Sequence, residues 1–102
     1  MPGYEVLAVR YGTRTTTRSE TFLNFHVYGE PDAEIGMDYY FWVVRDAERT
    51  IVVDCGFGAG PGARRRRTML VDPVDALGRL GVDAATVDTL VVTHAHYDHI
   101  GN

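Results

Sequence analysis

Three histidines and an aspartate lie within six residues near the end of the sequence, in the pattern His94-x-His96-x-Asp98-His99. Imidazole nitrogens and carboxylate oxygens are ligands that zinc, iron and manganese accept. In an extended segment, residues two apart project to the same side, so His94 and His96 can meet one metal ion. Asp98 and His99 are adjacent and are expected to diverge, which suits them to a second, neighbouring ion. The pattern therefore predicts metal binding rather than a group of exposed histidines on a turn.

Two apolar segments are expected to position this histidine motif. The run Thr89–Thr93 comes directly before the motif, and its short, continuous apolar character predicts a strand covered on both faces. Thr50–Asp54 predicts a second strand, and the four glycines and one proline of Cys55–Gly62 predict a loop after it. A rigid strand followed by a loop is where functional residues tend to lie.

The rest of the chain predicts two further strands and one helix. Strands are expected over Tyr4–Tyr11 and Met37–Arg45, and the polar run Thr13–Ser19 suits a solvated loop. Asp72 and Pro73 predict a helix start, and Gly81 predicts its end.

The histidine motif, preceded by Leu90-Val91-Val92-Thr93 and followed by Gly101, resembles the signature of the metallo-β-lactamase superfamily. Upstream, Ile51-Val52-Val53-Asp54-Cys55-Gly56 is similar to the superfamily strand that ends in Asp-x-Gly. The resemblance implies an α/β (α+β) fold, the four-layer αββα sandwich. Residues 1–102 would be the N-terminal portion of a single domain, mainly one mixed β-sheet with a covering helix, and the second half would be absent.

The same resemblance implies a role for each residue of the motif. His94 and His96 would bind the first of two divalent metal ions, and Asp98 and His99 the second, with zinc expected and iron or manganese as alternatives. Asp98 would also be catalytic, by orienting the nucleophile and accepting a proton. The complete family site uses a further histidine for each metal and a bridging aspartate, and His26 does not match those positions. The 102-residue chain alone is therefore expected to bind metal weakly and to turn over little or nothing.

Five other residues are candidates for supporting roles. Asp54 is expected to orient a ligand histidine through a hydrogen bond, and the alternative is a strand-end aspartate that caps the glycine turn. Phe22, Phe25, Met37 and Tyr39 would line an acyl-chain pocket, and the alternative is that these apolar side chains belong to the core.

Within the superfamily, Tyr4–Arg10 and Met37–Trp42 resemble the N-acyl-homoserine lactonase group most closely. That likeness implies a quorum-quenching hydrolase that opens a lactone ring with a hydroxide activated by the metals. Two alternatives within the superfamily are a glyoxalase II-like thioesterase and an RNase Z-like phosphodiesterase. A third is a non-catalytic truncated fragment, whose exposed apolar sheet surface would favour self-association.

Composition restricts the partners. The net charge of −4 argues against broad nucleic-acid binding, and the run Arg64–Arg67 is interpreted as a solvated face. The single cysteine, Cys55, favours a reducing compartment. The segment Met1–Glu5 lacks the features of a secretory signal, and no apolar stretch approaches the ~20 residues of a membrane span. We therefore expect a cytoplasmic protein with a small-molecule lactone or ester substrate and no membrane partner.

Overall fold

The computed structural model describes residues 3–102. Met1 and Pro2, which belong to the segment used for the prediction about a secretory signal, lie outside the described residues. The strands are β1 (Glu5–Thr17), β2 (Glu34–Arg45), β3 (Thr50–Val53), β4 (Thr68–Met69) and β5 (Leu90–Val91), and the helices are α1 (Arg18–Thr21), α2 (Ala59–Arg64), α3 (Pro73–Arg79) and α4 (Tyr97–Ile100). Short 3₁₀ helices lie at Phe25–Val27 and Ala84–Thr86.

Within residues 3–102 the strands form one mixed sheet in the order β4-β1-β2-β3-β5. Strands β1 and β2 form a long antiparallel ladder, whereas β3 and β5 run parallel. Helix α3 packs its buried Ala76 and Leu77 into the same apolar cluster as Val43 and Val52 of the sheet. The expected mixed sheet with a covering helix is confirmed.

An aromatic cluster forms the centre of the core. Tyr11, Phe41 and Phe57 are fully buried. The ring of Phe57 lies edge-on to those of Tyr11 and Tyr39, with centroids 5.0 Å and 5.4 Å away. Because Phe57 follows the turn after β3, its packing fixes the segment that approaches the histidine motif.

The Phe57→Ala variant is expected to lower the free energy of unfolding by about 3–5 kcal/mol, because it removes a fully buried aromatic ring and leaves a cavity. Urea denaturation measured by circular dichroism would test this. Leu23→Ala is the matched control, since Leu23 is 86% exposed and its truncation should leave stability unchanged. Equal midpoints for the two variants would contradict the prediction.

The predicted helix start is confirmed in detail. The side chain of Asp72 accepts hydrogen bonds from the backbone N–H groups of Val74 (2.9 Å) and Asp75 (3.3 Å), and Pro73 occupies the first helical position. The helix ends at Arg79, and Gly81 follows with φ of 75°. A left-handed glycine is a common way to end a helix.

The predicted loop over Thr13–Ser19 is wrong. Strand β1 continues to Thr17, and Thr13 through Thr17 pair with Asp38 through Glu34 of β2. The threonines are β-branched and suit a pleated strand, which outweighs their polarity. A register shift between Arg10 and Gly12 interrupts the regular pairing of β1 with β2.

Two expectations near the histidine motif are also corrected. Part of the predicted loop Cys55–Gly62 belongs to helix α2, whose Pro61 lies in the first turn, where no intrahelical N–H partner is needed. The last strand is shorter than Thr89–Thr93 and lies at one edge of the sheet, with Leu90 and Val91 48% and 46% exposed instead of covered. Self-association through this surface stays a prediction.

Across residues 3–102, no helix has the length and apolar character needed to cross a bilayer. The cytoplasmic location stays a prediction.

Candidate metal centre

The parallel pair β3 and β5 brings two distant segments to one edge of the sheet. The backbone N–H of Asp54 donates to the carbonyl of Val91 at 2.8 Å, so the residues that follow both strands lie side by side. Asp54 then adopts a left-handed conformation, with φ of 60°. Such backbone strain in a buried non-glycine residue is often found at functional sites. Here the turn at Asp54 brings the next residue, Cys55, into hydrogen-bond contact with the carbonyl of His99.

The structure brings His94, His96 and Asp98 together. One ligand atom from each lies within 4.8 Å of the others, and the two imidazole rings stand edge to face with centroids 4.8 Å apart. Both histidines are exposed, and Asp98 is half-buried. Two imidazole nitrogens and a carboxylate oxygen within 4.8 Å of one another fit a divalent ion of the zinc, iron or manganese type.

His99 joins this group instead of diverging from it. Its ring centroid lies 3.8 Å from that of His94, and its Nε2 lies 3.4 Å from Oδ2 of Asp98. Asp98 and His99 were expected to point apart because the segment was taken as extended, but both lie in helix α4. Asp98 and His99 can therefore address neighbouring positions of one centre. The assignment of each residue to a first or second metal stays a prediction.

Asp54 holds His99 in place. Its carboxylate is fully buried and accepts hydrogen bonds from the backbone N–H of Thr93 (2.9 Å), the hydroxyl of Thr93 (2.8 Å) and Nδ1 of His99 (2.6 Å). Burial alone would raise the pKa of the Asp54 carboxyl, but these hydrogen bonds outweigh burial and hold the pKa below its ordinary value. An ionised Asp54 fixes the proton of His99 on Nδ1, which leaves Nε2 free to bind a metal.

The loop after β3 also anchors the end of the histidine motif. The backbone N–H of Cys55 donates to the carbonyl of His99, and the N–H of Gly101 donates to the carbonyl of Gly56, both at 2.8 Å. A side chain at Gly101 would lie only 2.6 Å from the carbonyl oxygen of Tyr97 and 2.7 Å from that of Gly56. Glycine is therefore required for this close approach.

Two arginines of the run Arg64–Arg67 contact the motif, which the interpretation as a solvated face missed. Nε of Arg67 donates to the hydroxyls of Tyr97 (2.7 Å) and Tyr39 (3.1 Å). The guanidinium of Arg65 lies 4.0 Å from the centre of the Tyr97 ring. These contacts hold Tyr97, the first residue of α4. The sequence did not predict them, because nothing in the pattern of four arginines distinguishes Arg65 and Arg67 from their neighbours.

Tyr11 is a second contact that the sequence did not reveal. Its hydroxyl donates to the backbone carbonyl of Asp98 at 2.8 Å. Burial, together with the nearby charge of Asp98, raises the pKa of Tyr11, so the phenol keeps its proton. The sequence shows only a tyrosine at the end of an apolar run.

The four candidates for an acyl-chain pocket lie in two places. Phe22 and Phe25 lie in the segment that connects β1 to β2, and Phe22 is exposed. Met37 and Tyr39 lie within β2, where Tyr39 is buried in the aromatic core, as the alternative expected. The acyl-chain pocket stays a prediction.

Comparison with known proteins shows the family to which this chain belongs. The model of the metallo-beta-lactamase superfamily matches residues 37–102, and the chain belongs to this superfamily. A crystal structure of a quorum-quenching N-acyl homoserine lactone lactonase superposes with a TM-score of 0.71 at 18% sequence identity, covering 94% of this chain and 39% of that one. The present chain thus spans about two-fifths of the length of that lactonase, and its fold is the N-terminal part of the superfamily fold. No curated protein matches the sequence.

Proposed function

We propose that this chain belongs to a metal-dependent hydrolase that opens the lactone ring of an N-acyl-homoserine lactone. The observation that carries the proposal is the convergence of His94, His96 and Asp98 beside a His99 whose tautomer is set by buried Asp54. Membership of the superfamily supports the hydrolase class. The lactone is proposed from the resemblance of the strands Tyr4–Arg10 and Met37–Trp42 and from the structural likeness to the lactonase.

The residues present fit a centre for divalent ions, and we propose two ions, with zinc preferred. His94 and His96 offer exposed imidazole nitrogens, while Asp98 and His99 offer a carboxylate oxygen and Nε2 that lie 3.4 Å apart. When bound, divalent ions at such a centre lower the pKa of a coordinated water toward ~7 and polarise a carbonyl oxygen.

The chain's own residues contribute orientation and proton transfer. Asp98 is half-buried at the edge of the cluster, so its carboxylate can accept a proton from a nucleophilic water and return it to the leaving oxygen of the ring. In a lactone the leaving oxygen stays attached to the product, which is a hydroxy acid. Asp54 and Thr93 keep the imidazole of His99 in a fixed orientation while the substrate reacts.

The proposal is tested on the whole protein, meaning this chain with whatever sequence follows Asn102 in its reading frame. The zinc-loaded protein is offered an N-acyl-homoserine lactone, a glutathione thioester and an RNA, and we expect release of acid from the lactone above the other two reactions. Removing the metal with a chelator should abolish the activity, and adding zinc back should restore it. Hydrolysis of the thioester or the RNA without the lactone would overturn the choice of substrate.

A further inference from the structure

An irregularity in strand β1 determines where Tyr11 points. Arg10 pairs with Tyr40 and Gly12 pairs with Tyr39, so Tyr11 is an extra residue without a partner in β2. Before the irregularity, Leu7 and Val9 lie on the more buried side of β1. At the irregularity, the consecutive residues Tyr11 and Gly12 are both buried. Bulges of this kind change the direction of a side chain and are frequent beside active sites.

The space around Tyr11 directs its ring toward the histidine motif. A side chain at Gly12 would lie 2.9 Å from the ring of Phe57, and one at Gly56 would lie 2.9 Å from the ring of Tyr11. The two glycines therefore leave room for the rings of Tyr11 and Phe57 to pack edge to face. The Tyr11 ring is fully buried, and its hydroxyl reaches the carbonyl oxygen of Asp98 across 87 positions of sequence.

Helix α4, which carries Asp98 and His99, depends on outside contacts for its orientation. It has four residues, and a single helical turn has little stability by itself. Its carbonyl groups also lack the helical partners that a longer helix would supply. The loop after β3 holds the later part of α4 through the carbonyl of His99 and the N–H of Gly101. The Tyr11 hydroxyl holds the carbonyl of Asp98 itself.

We propose that Tyr11 is a positioning residue for the metal centre, which fixes the backbone of Asp98 so that its carboxylate faces His94 and His96. The role rests on the proposed function, since it has meaning only if Asp98 is a metal ligand. In this proposal, the bulge in β1 directs Tyr11 toward Asp98, and the Tyr11 ring also packs in the core.

The test compares two variants of the whole protein that each remove one buried hydroxyl from β1. Tyr11→Phe keeps the ring and removes the donor to Asp98. Thr16→Val removes the buried hydroxyl that donates to Glu20 at 2.9 Å, beyond the bulge. Cobalt(II) affinity and the visible absorption spectrum of the cobalt-loaded protein are measured at a temperature at which circular dichroism shows both variants folded. Cobalt(II) is the probe because its absorption bands report the geometry of its ligands.

We expect Tyr11→Phe to weaken cobalt binding about 10-fold and to change the absorption bands, because the ligand carboxylate loses its fixed backbone. Thr16→Val should match the wild type in both measurements. Wild-type affinity and an unchanged spectrum in Tyr11→Phe would overturn the role. If Tyr11→Phe does not fold, Tyr11→Met is measured in its place and must show the same loss. A wild-type protein that binds no cobalt would instead contradict the proposed function.

Discussion

Under the proposed function, the Asp98→Asn variant of the whole protein is expected to hydrolyse a lactone about 10²–10⁴-fold more slowly than the wild type. The substitution keeps the size and shape of the side chain and removes its charge and its capacity to accept a proton. The ligand atom of Asp98 lies within 4.8 Å of those of His94 and His96, and Oδ2 lies 3.4 Å from Nε2 of His99. In the proposed function, one carboxylate therefore both binds metal and transfers the proton.

Two measurements separate these contributions in Asp98→Asn. The rate of acid release from the lactone is measured at saturating zinc, so that weaker metal binding does not by itself reduce the rate. Zinc content is then determined on the same sample. Asp88→Asn is the matched control, because Asp88 is exposed and its carboxylate accepts only from the neighbouring Thr89 hydroxyl among the described contacts. An Asp98→Asn protein with the wild-type rate would exclude Asp98 from the reaction.

Local signals were sufficient for part of the fold. Asp72 and Pro73 correctly predict the start of helix α3, because a helix cap depends on residues that are neighbours in sequence. The alternation of His94 and His96 likewise predicts that they share one side, and their ligand atoms meet in the structure. The resemblance of the histidine motif to the superfamily signature is confirmed by the family match over residues 37–102.

Features that depend on distant partners were not predictable. Thr13–Thr17 has the composition of a loop and becomes a strand because β2 pairs with it. The contacts that hold α4 come from Tyr11 and Arg67, which lie 87 positions before Asp98 and 30 before Tyr97. No period or spacing of apolar residues encodes contacts over such separations. The expectation that Asp98 and His99 diverge differs from the structure for a related reason, since a helical turn follows the extended segment and brings Nε2 of His99 to 3.4 Å from Oδ2 of Asp98.

The Asp54→Asn variant is expected to weaken zinc binding by about 10–100-fold while leaving the fold intact. Asparagine tolerates the left-handed conformation that Asp54 adopts, so the backbone need not change. Its side chain fills the same space and can keep the hydrogen bond from the Thr93 backbone. The expected effect arises instead from the proton on His99.

The hydrogen bonds around Asp54 determine how an asparagine would orient. Oδ1 accepts from the Thr93 backbone N–H, which can only donate, so the amide oxygen of asparagine must take this position. The amide NH₂ then replaces Oδ2 and faces Nδ1 of His99. The Thr93 hydroxyl adapts by accepting, since a hydroxyl can serve either way. Nδ1 of His99 must also accept, which moves the proton to Nε2.

A proton on Nε2 occupies the lone pair that would bind the metal, so His99 is lost as a ligand although its ring stays in place. Zinc affinity is measured by competition with a chromophoric chelator on the whole protein, with the unfolding midpoint recorded beside it. Asp83→Asn is the control, because Asp83 accepts from the backbone N–H of Ala85 at the start of a 3₁₀ helix and has no described contact with the motif. If Asp54→Asn binds zinc as tightly as the wild type, either His99 does not coordinate through Nε2 or Asp54 does not set its tautomer. If Asp54 acts only by fixing the proton of His99 on Nδ1, zinc affinity must fall in Asp54→Asn while the unfolding midpoint stays unchanged. In Asp83→Asn the zinc affinity must not fall.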